Sequence, residues 1–414
     1  MKPIIHLIFM FSLLLAGNNI FAQEQTTVKV YNESDLRAIA EATTNEGQSY
    51  SNVKITLESD ITIQGDSWKP IGLYYDAEKN TFPFQGEFDG QGHTITFQTP
   101  LAVVSSESDK ETLYLAGLFG VIGTAGTVMN LNINTGDMHI SLGDIGSGDF
   151  GIITSCNAGL IENCSVSGNI NIRSEVLYNF NNFGCIAGYQ HSSGAMKNCI
   201  NLASIYSDKI SSVGGLVGDS LGGIIMKSIN KGNISSTGFA EIGGDAKSVG
   251  GIVGECSGTR GDGIIYLINC LNYGNITVAE NAIAAGGVVG KTMLSTIVFY
   301  CGNSGDIISK AYYSGGIIGK MVGSALIGSY HAGKVDSLSS NPMIGYKLRE
   351  DVQVIKWCSN INDGNSQTFI KKANSKFRQE KKTLLGYIQE DWSVSYFAPS
   401  SWISTEHQHL PHFE

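Results

Sequence analysis

The residues that could carry chemistry in this chain do not form a complete catalytic set. A zinc peptidase would need His-Glu-x-x-His, whose histidines hold the metal and whose glutamate is the general base, and this string does not occur. Glycoside hydrolysis needs two carboxylates about 5–9 Å apart. The hydrolase-type strings Asn-Thr-Asp, Asp-Asp, Gly-His-Gly and Arg-Ile-Lys are all absent. Asp89-Gly-Gln-Gly-His93 is similar to such a string, but its two glycines favour a tight corner.

Two groups of residues could hold a metal ion, and neither is sufficient. His407, His409 and His412 have a suitable spacing, although histidines near a chain end also occur without a ligand role. Asp144 and Asp149 could hold calcium in a turn, but calcium needs more oxygen ligands than this segment offers. We therefore predict no catalytic residue, no metal site and no cofactor.

Residues that could contact a sugar are more numerous, but they are scattered. Tyr178 and Phe180 alternate with asparagines and could stack on a sugar ring, whereas Phe183 aligns with Val213 and Val249 and is predicted to be core. A polysaccharide lyase would need a cluster of acids and a basic residue. The matched outward position of successive repeats is instead mostly uncharged, and it reads Asn169, Ser204, Asn233, Asn275, Asp306 and Lys334.

The element that must position all these residues is a repeat of about 33 residues. A glycine-rich phrase returns seven times, as GLFG, GIIT, CIAG, GLVG, GIVG, GVVG and GIIG, starting at Gly117, Gly151, Cys185, Gly215, Gly251, Gly287 and Gly316. A fixed period of this length indicates stacked units, each unable to bury its apolar face alone. The short Ile- and Val-rich runs favour strands over helices.

The second half of each unit repeats as well. A small residue recurs in one column, which holds Cys164, Cys199, Ser228, Cys270, Cys301 and Ser329. A turn residue follows four positions later, and a β-branched residue follows two positions after that. One unit can hold three short strands and three turns, and parallel strands stack about 4.8 Å apart. We therefore predict an all-β, right-handed parallel β-helix in preference to a β-sandwich.

Composition and charge agree with an elongated solenoid. Glycine contributes 51 of 414 residues, about 12 %, against an average of about 7 %. Charged residues make up 15 %, against a usual figure near 25 %. Without residues 1–22, the 27 basic residues lose Lys2 and become 26 against 37 acids, a net charge of −11. This balance disfavours nucleic acid and anionic membranes as partners.

The chain begins like a signal peptide. Lys2 is followed by an apolar run from Ile4 to Ala16, too short for a membrane span, and Ile20-Phe21-Ala22 fits a cleavage site. We predict a signal peptide at 1–22, an N-terminal cap with the first rungs at 23–112, the β-helix at 113–344 and a closing segment at 345–414. No transmembrane segment is expected in the mature chain, and the expected location is secreted, cell-surface or periplasmic.

The sequence also allows predictions for the cysteines and for the segments near the two ends of the chain. Cys164, Cys199, Cys270 and Cys301 are predicted to be stacked core thiols, because in-register Cβ atoms lie slightly beyond disulfide range. Cys156, Cys185, Cys256 and Cys358 are placed outside this column, with pairing left open. Residues 31–40 are predicted to form a helix capped by Ser34. Lys371–Lys382 is predicted to be the solvated face of a capping helix, ahead of a closing strand between Trp392 and Phe413.

The repeat resembles the GLUG-motif proteins. The shared features are G-G-[LIV]-V-G followed by N-C-x-N-x-G-x-[IV], the phrase Trp68-Lys-Pro-Ile-Gly72, the run from Phe84 to Ile95 and the ending Leu410-Pro-His-Phe413. The resemblance covers about residues 31–340 and implies a β-helical surface or secreted protein of the exported Bacteroidetes type. Related repeats occur in adhesins and in IgA-specific metallopeptidases. The copies at Gly151 and Cys185 depart from the pattern, and no peptidase string accompanies them.

These observations together predict an exported, non-catalytic, adhesin-like β-helix that presents an elongated surface. Its partners would be a host glycan, a matrix protein or an envelope component. Two alternatives stay open: a carbohydrate-active enzyme, which an outward row of acids from successive rungs would favour, and an accessory subunit of an envelope complex.

Overall fold

The computed structural model is nearly all β. It describes residues 25–107, 112–176, 180–237, 247–258, 263–279, 282–337, 340–348, 354–356, 358–360, 403–404 and 411–412. Within these ranges, one α-helix spans Glu33–Asn45 and all other regular structure is strand. Consecutive units pair through parallel strands in four long sheets, which confirms the predicted parallel β-helix.

Two of the long sheets carry the most strands. The 11-stranded sheet consists, in order, of Thr26–Val30, Val53–Leu57, Glu87–Asp89, Thr127–Met129, Leu160–Glu162, Ala195–Lys197, Gly223–Met226, Ile265–Ile268, Thr296–Phe299, Ala325–Ile327 and Val354–Lys356. The 15-stranded sheet consists of Ile61–Ile63, Thr94–Phe97, Asn132–Ser141, Ser165–Arg173, Ile200–Asn201, Ser204–Asp208, Ile229–Asn230, Ile234–Thr237, Leu271–Asn272, Ile276–Val278, Gly302–Asn303, Ile307–Ser309, Tyr330–His331, Val335–Ser337 and Ser359–Asn360.

The other two long sheets flank the glycine phrase. The 9-stranded sheet consists of Val104–Glu107, Thr112–Ala116, Ser147–Gly151, Phe180–Gly184, Ser212–Gly214, Ser248–Gly250, Ala284–Gly286, Tyr313–Gly315 and Ser340–Asn341. The 8-stranded sheet consists of Phe119–Ile122, Thr154–Asn157, Ala187–Gln190, Val217–Ser220, Val253–Cys256, Val289–Thr292, Ile318–Val322 and Ile344–Leu348. A separate antiparallel pair joins Ile403–Ser404 to Pro411–His412.

Each rung holds more strands than the three we predict from the repeat. The rung that starts at Ile200 has five short strands, the last ending at Met226, because the glycine phrase is itself a bend between two strands. The register is the same from rung to rung. For example, Val213 pairs with Val249, and Val217 pairs with Val253. These valines are fully buried, so one apolar core runs along the stack.

The predicted N-terminal helix exists, but its cap is Asn32 and not Ser34. The Asn32 side chain accepts a hydrogen bond from the backbone N–H of Asp35 at 3.1 Å. The Asp35 carboxylate in turn accepts from the backbone N–H of Tyr31 at 2.9 Å. This reciprocal pair begins the helix two residues earlier than Ser34 would allow.

The predicted cysteine column points into the core. Cys164, Cys199, Cys270 and Cys301 are buried free thiols, as predicted. The prediction that Cys358 lies outside the column is wrong. Because Tyr330 pairs with Ser359, Cys358 follows Ser329 in register, and its Sγ lies 3.4 Å from the carbonyl oxygen of Leu326. The remaining cysteines, Cys156, Cys185 and Cys256, are buried free thiols at other positions.

Replacing Cys270 by serine should change stability by less than about 1 kcal/mol. The Cys270 thiol donates to the carbonyl of Ile268, two residues before it, and Ser228 makes the equivalent bond to Met226 at 2.9 Å. Replacement by aspartate should cost several kcal/mol, since a charge would be buried without a partner. Urea unfolding of both variants tests this, and a large loss for serine would contradict it.

A chain of asparagines runs through the interior beside the cysteine column. Asn201 Nδ2 donates to Asn230 Oδ1 at 2.7 Å, Asn230 to Asn272 at 2.7 Å, and Asn272 to Asn303 at 2.8 Å. Asn303 Nδ2 in turn lies 3.1 Å from His331 Nδ1. All five side chains are at most 1 % exposed. We call this set the asparagine ladder.

The asparagine ladder and the backbone of the next rung together leave no room for a side chain at the first glycine of the repeat phrase. A Cβ atom on Gly287 would lie 2.2 Å from Asn303 Nδ2, and one on Gly251 would lie 2.4 Å from Asn272 Cγ. A side chain at either glycine would therefore displace the amide opposite it. The two halves of one repeat unit, which lie in adjacent rungs, are thus linked by packing.

Candidate functional site

An open groove follows the bend of the 15-stranded sheet. It encloses about 600 Å³ and is bordered by the outward side chains of five successive rungs. Its outward lining consists of Asp137, His139, Asn169, Asn171, Ser204, Tyr206, Asn233, Ser235, Asn275 and Thr277. We call it the polar groove. It contains the outward column that the sequence identifies, from Asn169 to Asn275, so the structure brings those residues onto one surface.

The rungs position this lining because each rung repeats the same turn and strand. Asn169 pairs with Asp137 on one side and with Ser204 on the other. The strand residues between the outward ones, such as Ile170 and Ile205, are buried in the core and fix the alternation. The groove is therefore part of a rigid sheet face.

Hydrogen bonds between rungs orient the asparagines of the polar groove. Asn233 Oδ1 accepts from the backbone N–H of Asn275 at 2.9 Å, and Asn275 Oδ1 accepts from the backbone N–H of Asp306 at 2.9 Å. With each oxygen engaged, the Nδ2 groups are left to donate outward. At the N-terminal end, Asn169 Nδ2 donates to Asp137 Oδ1 at 2.7 Å.

Tyr206 is the aromatic residue of the polar groove. Its side chain is 42 % exposed, and its phenol oxygen lies 3.1 Å from Thr237 Oγ1 in the next rung. This bond holds the ring on the sheet face. Asn171 and Ser235 pair with Tyr206 in the rungs on either side. An exposed ring is thus bordered by an amide and a hydroxyl.

A second polar cluster lies between the 8- and 9-stranded sheets. Asp219, Glu255 and Lys291 occupy the same position in three successive rungs, and we call them the charged stack. Lys291 Nζ lies 2.8 Å from Glu255 Oε1, and both side chains are largely buried, at 4 % and 13 % exposed. Within the described residues, the buried Oδ1 of Asp219 and the buried Oγ of Ser248 have no hydrogen-bond partner.

The two carboxyl groups of the charged stack lie in different electrostatic environments. Burial raises the pKa of the Asp219 carboxyl well above its ordinary value, and the neighbouring charge of Glu255 raises it further. A hydrogen bond from Ser257 Oγ to Asp219 Oδ2, at 2.9 Å, opposes this only in part. Glu255 instead forms an ion pair with Lys291. Of the two neighbouring carboxyl groups, Asp219 is therefore the one whose neutral form is favoured.

Replacing Asp219 by asparagine should stabilise the protein at neutral and alkaline pH. A carboxyl whose pKa is raised on folding contributes stability below its ordinary pKa and loses it as the pH rises. Asparagine cannot ionise, and its amide can donate to Glu255, so we expect a gain of about 1–3 kcal/mol near pH 8 that shrinks near pH 4. Urea unfolding at both pH values measures this. The exposed Asp336→Asn is the control, and a variant that is less stable near pH 8 would contradict the prediction.

The other sequence candidates are not brought together. Phe183 is fully buried, as predicted, whereas Phe180 is 72 % exposed on a strand away from the polar groove. Asp149 is buried and accepts from Asn182 at 3.0 Å, so it does not join the exposed Asp144 in a turn. Asp89 accepts from Gln91 N–H and Asn130 within a corner, as its glycines suggest. Tyr178, Lys371–Lys382 and the side chains of His407, His409 and His412 lie outside the described residues.

Sequence reasoning missed the charged stack. Its signal is the residue directly after each glycine phrase, which reads Asp219, Glu255, Lys291 and Lys320 in consecutive units. Across the described ranges, no group of three or more His, Cys, Asp or Glu residues is arranged to hold a metal ion. No described helix is long and apolar enough to cross a membrane.

Comparison with known proteins supports the fold and leaves the activity open. No family model matches the chain. A segment of 139 residues is 31 % identical to halomucin of Haloquadratum walsbyi. The matched segment makes up 33 % of this chain and 1 % of halomucin.

Two solved structures align with most of this chain. One, from Bacteroides ovatus and provisionally assigned as an immunoglobulin A1 protease, is 17 % identical with a TM-score of 0.51, covering 94 % of this chain and 92 % of that one. The other, an IgA1 protease, is 14 % identical with a TM-score of 0.46, covering 82 % of this chain and 21 % of its own.

Proposed function

We propose that this chain is an exported, non-catalytic β-helical protein that binds a ligand across several rungs. The observation that carries the proposal is the polar groove, in which in-register rungs present amides, hydroxyls and one aromatic ring on a rigid face. Asn171, Ser204, Ser235 and Thr277 make no side-chain hydrogen bond to any other described residue and can therefore bond a ligand.

Export is proposed from the first 22 residues and from the GLUG-like repeat, whose family implies a surface or secreted protein. The ligand would be a host glycan, a matrix protein or an envelope component. Rigid spacing of the binding groups lowers the ordering cost of association, because the face does not rearrange.

The experiment is a binding screen with purified mature protein, residues 23–414. Immobilised glycans, matrix proteins and cell-envelope fractions are probed with the parent chain and with a double variant, Asn233→Ala/Ser235→Ala, at exposed or half-buried positions of the groove. We expect a ligand class that the parent binds and the double variant binds more weakly. Equal binding by both proteins would place the interaction elsewhere and contradict the proposal.

A second candidate function is glycoside hydrolysis at the charged stack. The observation that favours it is that two carboxyl groups in adjacent rungs lie in different environments: burial raises the pKa of Asp219, and Glu255 forms an ion pair with Lys291. Such hydrolysis divides the acid and base roles between two carboxyl groups. Against it, Asp219 Oδ1 is buried, so a substrate cannot reach that atom in this conformation.

Hydrolysis assays separate the two candidates. The protein is incubated with pectins, glycosaminoglycans, mucin glycans and immunoglobulin A, the last because the solved neighbours carry that substrate in their names. Product formation that is lost in both Asp219→Asn and Glu255→Gln would favour the enzyme. Unchanged substrates after prolonged incubation favour the binding protein.

A further inference from the structure

We infer that the polar groove binds an uncharged glycan chain lying along the stacking axis, with one sugar ring against Tyr206. This inference rests on the proposed binding function and specifies its ligand. The groove spans five rungs, from Asp137 to Thr277, which corresponds to about 19 Å at about 4.8 Å per step.

The charge of the lining argues for an uncharged ligand. From Asn169 to Thr277 the outward side chains of the groove are all neutral, and Asp137 at one end already accepts from Asn169. A polyanion would be expected to meet lysines or arginines. Arg173 lies outside the lining, further along the strand of Asn171, and is in register with the acidic Asp208 in the next rung.

The hydrogen-bonding groups argue for a glycan over a peptide. A peptide commonly adds as a strand to an open sheet edge and bonds through its main chain. The groove lies on the face of a sheet, and its strands, such as Ser204–Asp208, already pair on both sides. Side-chain amides and hydroxyls, with the His139 imidazole at one end, remain to bond a ligand. The amides and hydroxyls match a chain that carries many hydroxyl groups.

The ring of Tyr206 supplies an apolar surface for a sugar. A sugar ring has an apolar face that packs on an aromatic side chain, and Tyr206 offers a 42 % exposed ring in the middle of the groove. Its bond to Thr237 fixes the ring before a ligand arrives. Asn171 and Ser235, in register on either side, can then bond the hydroxyls at the rim of the same sugar.

The test measures binding of the mature protein to uncharged polysaccharides and to polyanions. Mannan, galactomannan, xyloglucan and β-glucan form the first set, and heparin and polygalacturonate form the second. We expect a member of the first set to bind with an affinity that changes little between low and high salt, because no ion pair forms. Tyr206→Ala should weaken this binding about tenfold.

The control is Tyr31→Ala, since Tyr31 is similarly exposed, at 55 %, on the N-terminal part of the chain. It should bind like the parent, and thermal unfolding confirms that both variants are folded. Binding confined to the polyanions, or unaffected by Tyr206→Ala, would overturn the inference. If matrix proteins bind through the groove and glycans do not, the inference fails while the proposed function stands; if nothing binds, both fail.

Discussion

Replacing Asn230 by valine is expected to cost several kcal/mol of folding free energy, at about 1–3 kcal/mol for each buried group left without a partner. Asn230 makes four hydrogen bonds in the asparagine ladder: to the amides of Asn201 and Asn272 and to the N–H and carbonyl of Gly232. Valine leaves Asn272 Oδ1 and both the N–H and the carbonyl of Gly232 without these buried partners. A valine side chain fits the space at this position, because Val166 occupies the same column one rung before Asn201. The loss would therefore come from the missing hydrogen bonds.

Urea unfolding measures the loss, and two variants serve as controls. Asn201→Val should cost less, because Asn201 is the first member of the asparagine ladder and no amide donates to it from the preceding rung. Asn233→Ala changes an exposed asparagine of the same repeat and should cost little. Equal losses for Asn230→Val and Asn233→Ala would show that the asparagine ladder contributes nothing.

Replacing His331 by asparagine is expected to protect the protein against acid. Burial lowers the pKa of His331 from 6.5 to about 4, so the folded state keeps the imidazole neutral while the unfolded state takes up a proton. The stability that this histidine contributes is complete above pH 6.5 and is lost as the pH falls toward 4. The difference corresponds to about 3 kcal/mol.

Asparagine should abolish this loss and keep the bond from Asn303, because its Oδ1 can replace the acceptor Nδ1. The same column holds asparagine at Asn303 and Asn360, on both sides of His331, so the substitution fits the local packing. Stability measured from about pH 7 to about pH 4 should fall less for the variant. Parallel curves for the two proteins would contradict the prediction.

The repeat columns were sufficient to predict the solenoid, because a side chain that recurs at a fixed period must occupy the same place in each rung. The valines after the glycine pairs and the thiols of Cys270 and Cys301 lie as the columns require. Cys358 could not be assigned to the cysteine column from the sequence, because its unit lacks both the glycine phrase and the asparagine that precedes the other cysteines. The number of strands per rung was wrong, since a bend at Gly215 and Leu216 looks like a strand in sequence.

The sites were harder to predict, because they depend on contacts between units. The outward column from Asn169 to Asn275 is visible in sequence, but only the sheet places Tyr206 beside it. The charged stack varies in residue type from one rung to the next, so its column, the residue directly after each glycine phrase, shows a recurring charge but no recurring side chain. Its burial comes from the close approach of two sheets, where a Cβ on Gly218 would lie 2.6 Å from the backbone nitrogen of Phe183.

The uniform register also determines how the molecule would respond to mechanical force. Four sheets join each rung to the next, so a load that slides one rung across its neighbour must break hydrogen bonds in all four at once. A pull on the two chain ends acts differently, because it can peel terminal rungs away one after another. A ligand bound across the groove would spread its load over five rungs. Such a protein should hold strongly against sideways drag and unravel gradually when stretched lengthwise.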